Sequence, residues 1–180
     1  MKLTETTLAG AFVIELDRIE DERGMFARTF CRREFTERGL VADVAQCNVS
    51  VNPRRHTLRG MHYQTAPHQE TKLVRCSAGA VYDVIVDLRP GSPTYRQWYA
   101  HTLTAEAMTA LYIPADFAHG FLSLTDGATV LYQMSAEYHA ESARGLRWND
   151  PSLGIEWPAE PRVLGARDAN YPLLSESHHG

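Results

Sequence analysis

The segment Thr57-Leu58-Arg59-Gly60-Met61-His62-Tyr63-Gln64 places an arginine and a histidine inside otherwise strand-like sequence. Histidine is the ordinary side chain whose charge changes nearest neutrality, and it is also the commonest metal ligand. The chain carries eight histidines in 180 residues. Strict alternation would set Arg59 and His62 on opposite faces of a strand. Gly60, between them, is where a bulge can reset the register and turn both inward. Lys72 opens the next apolar run, and Asp83 interrupts the one after it. Burying that carboxylate is costly unless it is paired, so a Lys72–Asp83 pair is expected. A histidine with an orienting carboxylate, a lysine and a tyrosine suits proton removal from a carbon beside a carbonyl. The histidine takes the proton, the lysine steadies the enolate, and the tyrosine returns a proton from the other face. That sequence inverts a stereocentre. Tyr132 and Tyr138 lie on or just after a strand, and each alone also fits a packing aromatic. Arg23, Arg59 and Arg75 are candidates for a phosphate or diphosphate, because guanidinium binds phosphate oxygens in a bidentate manner. Phe26 follows the Arg23-Gly24 turn and is placed to stack on a base or ring.

These residues need strands to position them. Phe12–Leu16, Val44–Val51, Lys72–Cys76, Val81–Leu88 and Ala128–Tyr132 read as strands from apolar alternation and β-branched content. Turn residues separate them at Asp21–Gly24, Asn52-Pro53, Ser77–Gly79, Pro90–Pro93 and Thr125–Gly127. Many short strands at a spacing of roughly 8–12 residues indicate a mainly β sandwich or barrel. A short N-terminal helix is expected over Arg32–Arg38, closed by Gly39. The C-terminal stretch, interrupted by Pro151, Pro158, Pro161 and Pro172, is expected to form short helices and turns on the barrel.

Composition bounds the function. The length predicts one domain over residues 1–180. Eighteen basic against 22 acidic residues give a net charge of −4, against a nucleic-acid binder that relies on bulk positive charge. No apolar run is long enough to span a membrane, and the N-terminus lacks a signal-peptide pattern, so a cytoplasmic location is expected. Cys31, Cys47 and Cys76 have no metal-ligand spacing and read as small buried hydrophobes. His56, His68, His101 and His139 are assigned to loops or the surface. His178 and His179 belong to the tail and are set aside.

The segment Ile113-Pro114 through His119-Gly120-Phe121 resembles the second cupin motif. The first cupin motif carries two histidines separated by one residue, then a glutamate. Here His62 and Gln64 stand in its place, with Glu70 downstream. One histidine is missing, and two histidines are a poor ligand set for a first-row metal. No metal is therefore assigned.

The ordered set of segments is similar to the dTDP-4-dehydrorhamnose 3,5-epimerase family. It comprises Asp21–Phe26, Gln46–Ser50, Leu58–Gln64, Lys72–Cys76, Val81–Arg89, Ser92–Tyr95 with Trp98, Ile113–Phe121, Arg147–Pro151, Ile155–Pro158 and Arg167-Asp168. The resemblance implies a cupin-type jelly-roll β-barrel, a homodimer and no cofactor. It implies epimerisation of a nucleotide-diphospho-4-keto-6-deoxyhexose. It makes His62 the base, Asp168 its orienter, Lys72 the enolate stabiliser and Tyr132 the opposed acid. Asp83 supports Lys72, His119 lines the site, and Tyr138 lines the sugar pocket. Arg23, Phe26, Gln46, Asn48 and Arg59 match positions that hold the nucleotide and diphosphate, with Arg23 and Phe26 able to serve the neighbour's site. Arg28 stands near the nucleobase position, where many members carry a glutamate.

Other readings remain open on the sequence. One is a 3-only or 5-only epimerase acting on a related nucleotide sugar. Another is a metal-dependent cupin oxygenase or isomerase using His62, Glu70 and His119. A third is a cupin that binds a sugar without catalysis.

Overall fold

The computed structural model describes residues 1–175. In chain order the strands are β1 (Lys2–Glu5), β2 (Phe12–Glu15), β3 (Arg18–Asp21), β4 (Gly24–Ala27), β5 (Gln46–Asn52), β6 (Thr57–Gln64) and β7 (Lys72–Ala78). They continue with β8 (Ala80–Asp87), β9 (Trp98–Thr104), β10 (Ala110–Ile113), β11 (Phe117–Ser123), β12 (Ala128–Met134), β13 (Ala143–Gly145) and β14 (Val163–Leu164). Helix α1 spans Arg32–Glu37, and α2 spans Ala166–Ala169. One sheet has the order β1-β2-β10-β7-β12-β5, and the second has β13-β6-β11-β8-β9. A separate hairpin joins β3 and β4. The jelly roll takes the form of two facing sheets rather than one hydrogen-bonded ring.

Alternation explains why these runs pack. Val13, Val74, Cys76, Leu111 and Val130 of the first sheet meet Val81, Ile85, Phe117 and Phe121 of the second in one buried cluster. The intervening residues of the second sheet point outward but are also covered. Val84, Val86 and Ala118 pack with Leu146, Leu153 and Leu174 of the C-terminal segment. Strand β8 is therefore buried on both faces, which is why it reads as an almost continuous apolar run. On the outer face of the first sheet, Ile14, Leu73 and Tyr112 are capped by Phe35 of α1. That helix stops as expected. Gly39 adopts φ of +71°, with Gly39 N–H donating to Thr36 O and Leu40 N–H to Phe35 O, both at 3.0 Å. Those two bonds are the Schellman pattern that favours glycine at this position.

The bulge at Gly60 is present. His119 pairs with His62 and Phe121 with Arg59, so two steps along β11 match three along β6. Gly60 has φ of +133°, and a Cβ there would meet Gly120 Cα at 2.5 Å. The extra residue sends Met61 into the outer cluster and leaves both Arg59 and His62 lining the interior cavity.

Two assignments differ from expectation. Cys76 is buried, but Cys47 is exposed on edge strand β5 and Cys31 is half-buried. His101 lies on β9, opposite Asp83, rather than in a loop. The tail histidines fall outside the described residues. No helix among the described residues is long and apolar enough to cross a membrane.

Candidate active site

A cavity of about 420 Å³ opens between the sheets, lined by Asn48, Arg59, His62, Lys72, His119 and Tyr132 among others. Its walls come from both sheets. Arg59 and His62 project from β6 and His119 from β11, while Lys72 (β7), Tyr132 (β12) and Asn48 (β5) project from the facing sheet.

His62 Nε2 lies 2.8 Å from Asp168 Oδ1. The second carboxylate oxygen of Asp168 accepts the Gly60 N–H at 3.0 Å. An ionised carboxylate only accepts, so His62 Nε2 carries the proton and Nδ1 is left as the basic nitrogen. The His62 side chain is 44% exposed and that of Asp168 11%, so a substrate can reach the imidazole but not its orienter. Burial opposes ionisation of Asp168. The His62 hydrogen bond and charge, the Gly60 N–H and Arg167 outweigh it and hold the carboxyl below its ordinary value. Asp168 sits on the single turn of α2. Tyr171 follows, with its ring edge-on to His62 at 5.7 Å.

A second histidine–carboxylate pair lies deeper. His119 Nε2 is 3.0 and 2.9 Å from the two oxygens of Asp83, and both residues are buried. In the β8–β11 register Asp83 faces Phe121 and Ile85 faces His119, so Asp83 and His119 are diagonal neighbours on one face. The expected Lys72–Asp83 pair is not formed. Lys72 Nζ lies 2.7 Å from Glu70 Oε1 and 3.5 Å from His62 O. The physical reason is that His119 already occupies both Asp83 oxygens, while Glu70 lies two residues from Lys72 and is buried with it.

The Tyr132 ring meets His119 edge-on at 5.9 Å. Burial, with a smaller contribution from the Asp83 charge, pushes its phenol well above the ordinary value near 10, partly offset by Arg59. The phenol is therefore a neutral donor at physiological pH. Arg59 Nε donates to Asn52 Oδ1 at 2.9 Å.

Several predicted residues lie elsewhere. Arg75 projects from the outer face of the first sheet and donates to Thr29 O, so it does not face the cavity. Arg23 and Phe26 are on the β3–β4 hairpin, with Arg23 paired to Asp21 and Phe26 71% exposed. Arg28 pairs with Glu34 at 3.1 Å. None of these three lines the cavity of this chain. Gln46 borders an adjoining hollow with Asn48 and Tyr138, and its Oε1 accepts the Tyr138 N–H at 3.0 Å. Tyr138 lines the main cavity as well.

Arg144, Arg167 and Tyr171 also line it and were not predicted as site residues. For Tyr171 a signal existed: it is an aromatic residue three positions after Asp168 in the same C-terminal segment. The set His62, Glu70 and His119 does not converge as a metal site. Their ligand atoms do not all lie within 4.8 Å of one another, and one donor of each is taken by Asp168, Lys72 or Asp83.

Fold and site together define a jelly-roll protein with an acid–base constellation around a polar cavity, of the cupin-like kind. The sequence model described as dTDP-4-dehydrorhamnose 3,5-epimerase matches residues 5–176. The chain is 38% identical over 177 residues to the dTDP-4-dehydrorhamnose 3,5-epimerase of Sinorhizobium fredii, covering 98% of this chain and 91% of that one. It matches the structure of the dTDP-6-deoxy-D-glucose-3,5-epimerase of Legionella pneumophila in complex with dTDP-4-keto-L-rhamnose. There the TM-score is 0.92 and identity 37%, over 97% of this chain and 93% of that one. A 3′-monoepimerase from Streptomyces bikiniensis in complex with dTDP-quinovose matches with a TM-score of 0.88 and 38% identity, over 94% and 86% of the two chains. The chain belongs to the dTDP-4-dehydrorhamnose 3,5-epimerase family.

Proposed function

We propose that this protein epimerises a dTDP-4-keto-6-deoxyhexose by proton transfer beside the ketone, without a cofactor. The observation that carries the reading is that one cavity receives the Asp168-oriented His62 from one sheet and the Tyr132 phenol from the other. A sugar ring between the sheets meets a base on one side and a neutral acid on the other. His62 Nδ1 removes the carbon-bound proton, and its electrons pass to the ketone oxygen as an enolate. Lys72, held by Glu70 on the wall of the same cavity, stabilises that oxygen in an interior where charge acts strongly. Tyr132 returns a proton to the opposite face. The ketone already acidifies its neighbours, so positioning plus general acid–base catalysis is sufficient. Arg59, with Asn48 and Gln46, holds the nucleotide diphosphate.

The working unit is a homodimer of single-domain chains. Val49 and Leu131 are cross-strand neighbours on the outer face of the β5 edge, and with Val51 they are exposed. Ile19 and Phe26 of the projecting hairpin are exposed too. The exposed apolar strip of Val49, Val51 and Leu131 along the β5 edge favours association. In the dimer Arg23 and Phe26 reach the neighbour's nucleotide, with Arg28 close to the base. A cytoplasmic location fits a nucleotide-sugar substrate.

The test is deuterium wash-in from D2O with dTDP-4-keto-6-deoxyglucose. Exchange at C3, C5 or both is the expected result, and product analysis then separates 3,5- from single-site epimerisation. If neither carbon exchanges, the epimerase reading fails, and a sugar-binding role takes its place.

A further inference from the structure

Tyr171 lines the cavity beside the base and has no part in the proton transfers set out above. The residue is 9% exposed, and its hydroxyl is buried without a hydrogen-bond partner among the described residues. Leaving a buried O–H unpaired is costly, and native proteins rarely do so without a use for the group. The ring stands edge-on to His62, with centroids 5.7 Å apart. We propose that Tyr171 is a specificity-determining residue whose phenol donates a hydrogen bond to a hydroxyl oxygen of the substrate's hexose. The inference rests on the nucleotide-sugar reading of the cavity and adds to it a contact that tells the sugar nucleotide from the bare nucleotide.

Backbone on two sides fixes the ring in place. Gly145 on β13 is the register partner of His62 on β6. The Tyr171 ring lies directly against it: a Cβ at position 145 would meet three ring carbons at 2.3–2.6 Å. The segment after α2 is tied down as well. Arg147 Nε donates to Tyr171 O at 2.9 Å, and the Arg147 N–H donates to Pro172 O at 3.1 Å. Asp150 Oδ2 accepts the Leu174 N–H at 2.5 Å. A donor held in this way gives up little freedom when a ligand arrives.

The neighbours leave the phenol's proton to the ligand. Arg167 lies over the ring, its guanidinium carbon 5.6 Å from the centroid. A guanidinium only donates, so it cannot accept that proton. Burial raises the phenol above its ordinary value, with the Arg167 charge opposing part of the rise, so the O–H is intact at neutral pH. The base must touch a ring carbon of the sugar to remove its proton. A group packed against the base therefore meets the hexose, while Arg59 and Asn48 serve the nucleotide diphosphate. A site that offers a buried donor to a substrate oxygen discriminates against a ligand lacking that oxygen.

The experiment compares wild type with Tyr171→Phe, which keeps the ring and removes only the hydroxyl. Calorimetry measures the binding of dTDP-4-keto-6-deoxyglucose and, separately, of dTDP. Affinity for the sugar nucleotide is expected to fall about three- to tenfold, the share of one hydrogen bond, while affinity for dTDP stays within about twofold. The ligand-free variant is expected to unfold at or above the wild-type midpoint, because it loses an unpaired buried group. Unchanged affinity for the sugar nucleotide overturns the proposal. So does an equal loss for dTDP, which moves the contact to the nucleotide. A lowered midpoint with both affinities intact overturns it too and makes the hydroxyl a structural group. The readout needs no turnover. A wild type that binds the sugar nucleotide without deuterium exchange sinks the epimerase reading, and the two affinities still decide the Tyr171 contact.

Discussion

His62 and Asp168 stand 106 positions apart in the chain and 2.8 Å apart in the fold. The short helix carrying Asp168 docks against β6 beside the Gly60 bulge, and one carboxylate serves both the bulge N–H and the imidazole. The base and the backbone that aims it therefore share one anchor.

Asp168→Asn tests that anchor. The amide keeps the shape but presents an N–H or a weaker acceptor to His62, so the imidazole loses its tautomer control. A fall in kcat of about 10²–10⁴ is expected, with KM little changed. Steady-state kinetics decides it; a wild-type kcat would remove Asp168 from the mechanism.

Tyr132→Phe separates the two half-reactions. Deuterium exchange driven by His62 is expected to persist while inverted product is lost. The wild-type phenol, raised above its ordinary value by burial, keeps its proton through about pH 10. An alkaline loss of wild-type activity below that pH must then come from another group. Inverted product at the wild-type rate from the variant counts against the acid role.

Gly60→Ala probes the bulge. The new Cβ would sit 2.5 Å from Gly120 Cα at φ of +133°, with backbone rather than a flexible side chain in the way. A loss of about 2–4 kcal/mol is expected from overpacking and strain together. Urea unfolding measures it, and a change below about 0.5 kcal/mol contradicts the packing argument.

Asp87 gives a pH-dependent stability. Its buried carboxylate accepts from Arg89, Ser92 and Thr94, which overcome the burial penalty and lower its pKa to about 2. The folded value is below the ordinary 3.8, so the stabilisation is present above about pH 4 and lost as pH falls through about 2. Its size is about 2 kcal/mol. Unfolding of Asp87→Asn and wild type across pH is expected to show a gap at neutrality that narrows below pH 4.

Much of the site was legible because strand alternation fixes which way a side chain points. Lys72 and Tyr132 lie inward on strands whose periodicity is plain, and the need for a bulge followed from Gly60 between Arg59 and His62. The carboxylate pairings were not legible. Asp83 chose His119 across the sheet, where a period of two names a face and not the neighbour, and Lys72, left without Asp83, chose Glu70 two residues before it. Arg75 is a different case: it stands at odd spacing from the inward Lys72, so the alternation of β7 itself sends it to the outer face.

The sequence by itself determined the strands, the turn glycines, the helix stop and the kinds of acid and base available, since these follow from local sterics and hydrophobic period. Only the tertiary structure decided which histidine met which carboxylate, that the phenol faces the base from the other sheet, and that His68 and His139 stack. Those relations depend on sheet order and register, set by the summed burial of both sheets rather than by any segment on its own.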